Sequence, residues 1–178
     1  MISVESGLKF EFATPAIKYD DCEYYKELKK SIKSCKAVDF LVLTNKDRLV
    51  LMEVKNFVGH EGDTSNRERL SPKGDDPLHM EIACKVKDTL AGLIGASTCP
   101  DRRNAKELET FYKKLQRISS RIIVIAFIEG KLSNYKGHGT GEKGLEIKVK
   151  KALQWLNCEV VVMNTKTKIP VNLFTVSE

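Results

Sequence analysis

Two acids and a lysine stand in stretches that are otherwise apolar. Asp39 sits in AVDFLVL (37–43), and Glu53 and Lys55 sit in RLVLMEVKNF (48–57). Both runs are rich in β-branched and aromatic residues, and TNKD separates them, a pattern that predicts a β-hairpin. Strand side chains alternate faces, so Glu53 and Lys55 share one face with Leu49 and Leu51. Directly opposed residues of an antiparallel hairpin also share a face. A register in which paired numbers add to 92 sets Asp39 against Glu53, and it leaves five residues between Leu43 and Leu49, or three if Thr44 pairs with Arg48. The two carboxylates then stand about 4.5–5.5 Å apart at Cβ. Lys55 follows about 6.5–7 Å further along the same face.

That geometry suits two acids sharing one hard divalent cation through oxygen. The cation would offset the cost of burying the charges. It would also lower the pKa of a bound water and stabilise charge on a phosphate. Lys55 is then in position to orient that water and to balance charge near the phosphate. The simpler reading is a salt-bridged strand edge, with Asp39 a cross-strand partner of Lys55. The apolar surroundings of both acids favour the metal site.

Val38-Asp39, then thirteen intervening residues, then Glu53-Val54-Lys55 resembles the signature of the PD-(D/E)XK nuclease superfamily, the restriction endonuclease-like proteins. Val38 stands where the motif has proline. In that superfamily a helix precedes the hairpin and another follows, and this order is predicted over roughly residues 20–97. The resemblance implies an α/β restriction endonuclease-like core, a mixed β-sheet flanked by helices. It implies Asp39 and Glu53 as ligands of Mg2+ or Mn2+, the Val54 carbonyl as a further oxygen, and Lys55 as a catalytic assistant. Many members add an acid from the preceding helix, which here is Glu23 or Glu27. The function implied is a divalent-metal-dependent nuclease, a DNA endonuclease, acting as a homodimer where both strands are cut. The alternative is a catalytically inactive module of the same fold that binds nucleic acid or a protein. The Q-x-x-x-Y element of RecB-like nucleases and the four-cysteine set of Cas4-like members are both missing.

The elements that must position these residues follow from periodicity. Residues 8–12 alternate as a short strand. Residues 20–34 read as a helix with Tyr24, Tyr25, Leu28 and Ile32 on one face and Asp20 or Asp21 as cap. Residues 58–76 are polar and aperiodic, which predicts a long exposed loop. Helical spacing returns over 77–97 and 103–118. RIIVIAFI (121–128) reads as a strand buried on both faces. A helix over about 142–156, with Trp155 among its packed positions, leads to a buried strand at 158–163 and an edge strand at 171–176. One domain is expected over residues 1–178.

Composition narrows the partners. With 178 residues, 42% hydrophobic and 30% charged, the chain is that of a soluble globular domain. No apolar run approaches the ~20 residues of a membrane span, and no signal peptide is legible, so a cytoplasmic protein is expected. A net charge of +6 and a pI near 9.0 suit an anionic partner such as nucleic acid. Between Asp101 and Arg121, seven basic residues (Arg102, Arg103, Lys106, Lys113, Lys114, Arg117 and Arg121) face three acids, and form either a phosphate-binding surface or a solvated helix face. Five scattered cysteines and three scattered histidines give zinc no support. Gly139, Gly141 and Gly144 spell G-x-G-x-x-G, but the preceding strand ends about ten residues too early for a dinucleotide site, so no nucleotide cofactor is expected.

Overall fold

The computed structural model describes residues 1–99, 101, 104–115, 122–135, 139–167 and 173–177. A five-stranded mixed sheet forms its middle layer, built from β3 (Ala16–Lys18), β4 (Phe40–Leu43), β5 (Leu49–Asn56), β6 (Ile122–Glu129) and β7 (Cys158–Met163), neighbours in that order. The β3–β4 and β4–β5 pairs are antiparallel. The β5–β6 and β6–β7 pairs are parallel, because each connection crosses over through a helix. These crossovers contain α3 (Leu78–Thr98) and α5 (Gly141–Ala152).

Alternation along the strands assigns two different neighbours to the two faces. Leu41, Leu43, Leu49, Leu51, Val124, Ala126 and Ile128 pack against helical residues, among them Ile82, Val86 and Leu93 of α3 and Leu145 and Val149 of α5. Phe40, Val42, Val50, Met52, Val54, Ile125 and Phe127 form a second core with Phe10, Phe12 and Phe174. The latter three come from a three-stranded antiparallel sheet of β1 (Ile2–Glu5), β2 (Leu8–Phe12) and β8 (Phe174–Ser177). Among the described residues, then, the helices cover one face of the main sheet and a second sheet covers the other. The expected mixed α/β sheet with packed helices is present. The apolar residues of β4, β5 and β6 on both faces are what allow burial from both sides.

Several elements differ from their expected limits. The helix before the hairpin, α1 (Glu23–Ser31), is capped by Cys22, whose Sγ accepts from Tyr25 N, and not by Asp20 or Asp21. Those two lie in a preceding 3-10 turn, Tyr19–Asp21. Within 58–76, α2 (Thr64–Arg69) forms, and the segment is pinned by buried Leu70 and by the Arg69 guanidinium 5.3 Å from the Phe57 ring. The helix expected over 103–118 is reduced, among the described residues, to a 3-10 turn, Lys106–Leu108, and α4 (Glu109–Leu115). α5 stops at Ala152, which leaves Trp155 58% exposed beyond the helix and not in the core. No helix of the described residues is long and apolar enough to cross a membrane.

Candidate functional site: an acid and lysine cluster under helix α3

The hairpin register is the one whose paired numbers add to 92, from Phe40 with Met52 to Leu43 with Leu49. Thr44 N donates to Arg48 O at 2.9 Å, so the loop is the three residues Asn45, Lys46 and Asp47, the last in the left-handed region at φ 61°. Asp39 lies one residue before β4. Its backbone carbonyl accepts from Tyr19 N at 2.8 Å, and α3 holds the approach, with Thr89 Oγ1 accepting from Val38 N and Asp88 Oδ2 from Lys36 N. Asp39 Oδ2 in turn accepts from Val54 N at 2.6 Å. A strand residue's N–H and C=O leave the backbone on one side, so the Val54 carbonyl also faces the Asp39 side.

Glu53 is fully buried and Asp39 nearly so. Both belong to the face that meets α3, where two lysines meet Glu53. Lys85 of α3 lies 2.9 Å from Glu53 Oε2, 2.7 Å from Oε1 and 3.6 Å from Asp39 Oδ1. Lys55 contacts Glu53 Oε1 and stands 3.6 Å from Glu81 Oε1. Both ammonium groups lie against Glu53 Oε1 and balance its charge. Glu81 is held from α2 by Arg69, whose Nη2 and Nε lie 2.8 and 3.1 Å from Oε2. An ordered chain of charge therefore runs Arg69, Glu81, Lys55, Glu53, Lys85, Asp39.

On its other flank Asp39 meets Glu5 and Asp20, and the three offer carboxylate oxygens within 4.8 Å of one another. Lys18 closes this flank, 3.0 Å from Glu5 and 3.2 Å from Asp21. Asp20 Oδ1 is buried and no described group donates to it. An orphaned carboxylate oxygen beside two further acids suits a hard cation, which takes oxygen ligands.

The electrostatics follow from burial. Burial, reinforced by the Asp39 charge, lifts the Glu53 carboxyl to about 7 against the pull of Lys55 and Lys85. Burial and then Asp39 lift Asp20 to about 6. Burial also raises Asp39, although Lys85, Lys55 and the Val54 N–H oppose it. Burial works against the charge of Lys85, but Glu53 and Asp39 outweigh it and raise its pKa. The Lys85 charge is held between two acids, whereas ionising the fully enclosed Glu53 is costly.

A family of unknown function, DUF6661, matches residues 22–177. The chain belongs to this family. The family match contains Asp39, Glu53, Lys55, Glu81 and Lys85, while Glu5 and Asp20 precede it. No curated protein and no solved structure matches the chain.

Of the residues singled out in the sequence, Asp39, Glu53, Val54 and Lys55 come together. Glu23 and Glu27 do not join them: Glu23 pairs with Lys26, and Glu27 accepts from Asn104 on the exterior. The acid that the segment before α1 does bring is Asp20. Of the basic residues, Arg102, Arg103, Arg117 and Arg121 lie outside the described residues. Lys113 is paired with Glu109 one turn back, Lys114 lies 2.8 Å from Asp47 with its side chain 13% exposed, and Lys106 is exposed. Lys85, Glu81, Arg69, Asp20 and Glu5 escaped the sequence reading. Lys85 alone left a usable signal: it falls on the inward stripe Leu78, Ile82, Lys85, Thr89, Gly92, Ala96, whose other members are all buried.

Two glycines of the triplet, Gly141 and Gly144, have a packing explanation. A Cβ on Gly144 would lie 1.7 Å from Tyr135 O, and one on Gly141 would lie 2.3 Å from Leu132 O. These glycines let the start of α5 press against the turn Ser133–Tyr135.

Proposed function

We propose that the chain is a divalent-metal-dependent nuclease, with DNA as its substrate class and a restriction endonuclease-like core carrying the site. The observation that supports this reading most directly is the placing of Asp39 beside buried Glu53 and Lys55, with an unpartnered Asp20 oxygen on the other flank of Asp39. Asp39, Glu53 and the Val54 carbonyl, joined by Asp20, are the residues that would hold Mg2+ or Mn2+. Such a cation supplies a water of lowered pKa and charge stabilisation at a phosphate. Lys55, kept beside Glu53 and steadied by Glu81, orients the attacking water and balances the developing charge. The net charge of +6 favours association with a polyanion through long-range electrostatics.

One observation favours a second reading, a non-catalytic module of the same fold. Lys85 and Lys55 already balance Glu53, so the acids have a reason to persist without metal. A panel of supercoiled plasmid, duplex, branched and single-stranded oligonucleotides separates the two, incubated with Mg2+, with Mn2+ and with chelator. Metal-dependent cleavage that Lys55→Ala abolishes, with Mn2+ binding retained, is the expected result. Bound Mn2+ without cleavage of any substrate would move the assignment to the binding module. Equal cleavage by wild type and Lys55→Ala would exclude this site.

A further inference from the structure

The ammonium of Lys85 straddles the two carboxylates that matter most. It lies 2.7 and 2.9 Å from the two oxygens of Glu53 and 3.6 Å from Asp39, and its side chain is 16% exposed. A divalent cation held by Asp39 and Glu53 would take carboxylate oxygens that Lys85 now contacts. An ammonium and a dication in one fork repel strongly, since both sit in a poorly screened interior. Lys85 also has somewhere else to go. Its stem is long and flexible, and Glu81 precedes it by one helical turn, the spacing at which a glutamate pairs with a following lysine. Glu81 is partly buried, is charged at low pH because Lys55 and Arg69 outweigh its burial, and already contributes to the field at Lys85.

We infer that Lys85 is a resident counter-cation of the Asp39–Glu53 pair, which a divalent cation displaces toward Glu81. This rests on the reading that Asp39 and Glu53 take a divalent cation. The arrangement keeps two adjacent buried carboxylates neutralised between metal-binding events. It also raises a threshold: an incoming ion must outcompete a tethered ammonium, which disfavours monovalent cations. Displacement moves the positive charge of Lys85 by one turn of α3, toward Arg69 and α2, and so links metal occupancy to the segment between β5 and α3.

The test uses the wild-type chain first. An amine-acylating reagent, read by mass spectrometry, reports the reactivity of each lysine in chelator and in Mn2+, with exposed Lys9 as reference. Lys85 is expected to react slowly in chelator and several-fold faster with Mn2+, because the ion displaces it from the enclosed Asp39–Glu53 fork, where the reagent has least access. Calorimetric Mn2+ titration of wild type and Lys85→Met supplies the second readout, with binding expected to tighten by about tenfold or more once the competing charge is gone. If Mn2+ binds wild type while Lys85 stays slow, or Lys85→Met binds no tighter, the ion sits on the Glu5 and Asp20 flank; the inference falls and the metal reading stands. If neither protein takes up Mn2+, both fall. Should Lys85→Met fail to fold, the wild-type labelling decides alone.

Discussion

Replacing Glu53 with glutamine in chelated protein isolates the energetic state of the buried carboxyl. Its folded pKa of about 7 stands above the ordinary 4.5, because burial outweighs the two lysines. Between these values the folded protein holds a proton that the unfolded chain has released, so stability falls as pH rises from 4.5 to 7. The shift corresponds to roughly 3 kcal/mol at 1.36 kcal/mol per unit. Glu53→Gln keeps the shape and cannot ionise, so its curve lacks this slope; the similar rise of Asp20 is present in both proteins and cancels in the difference. Urea unfolding with chelator, from pH 4.5 to 8, should give near-equal stability at the acid end and a variant more stable by up to about 3 kcal/mol at pH 8. In thermal melts that difference amounts to about 6–12 °C for a domain of this size. The opposing case has its own magnitude: breaking a buried ion pair by removing one partner costs about 3–5 kcal/mol. A variant less stable than wild type at pH 8 by that amount would refute the reasoning, because Lys85 and Lys55 would then fully stabilise the ionised carboxylate. Mn2+ should reverse the ranking at pH 8, since a cation that binds the native state stabilises wild type and has lost a ligand in the variant.

Two further outcomes follow from the supports of the site. Glu81→Gln and Arg69→Lys each loosen the clamp on Lys55, and should lower kcat by about 10- to 100-fold with KM little changed, and in Arg69→Lys with Mn2+ affinity little changed as well; unchanged kcat in both would mean that Lys55 needs no support from α3 and α2. Gly144→Ala should destabilise the protein by about 1–3 kcal/mol or more in urea, because its Cβ meets a backbone oxygen that cannot move aside; a neutral result would mean that α5 does not dock on the Ser133–Tyr135 turn.

Local pattern alone determined a great deal here. The apolar runs AVDFLVL and RLVLMEVKNF and the turn residues between them specified the hairpin, and its loop length together with the strand period of two put Asp39, Glu53 and Lys55 on one face. The continuous apolar run at 121–128 marked a strand buried on both faces, and the helical period of 77–97 marked α3. What covers each face was decided only by the tertiary structure. Ile2–Glu5 and Ala16–Lys18 are too short and mixed to announce strands, and they form because β2 and β4 offer them partners. The 58–76 segment is polar, so its attachment through Arg69 and Leu70 depends on Glu81 and Phe57 arriving from elsewhere in the chain. The composition of the site was likewise decided by folding. Glu5, Asp20 and Lys85 converge on Asp39 from three elements separated by up to eighty residues in the chain. Periodicity records which side of an element faces inward, whereas which charges then meet depends on how whole elements pack, and no single stretch of sequence carries that.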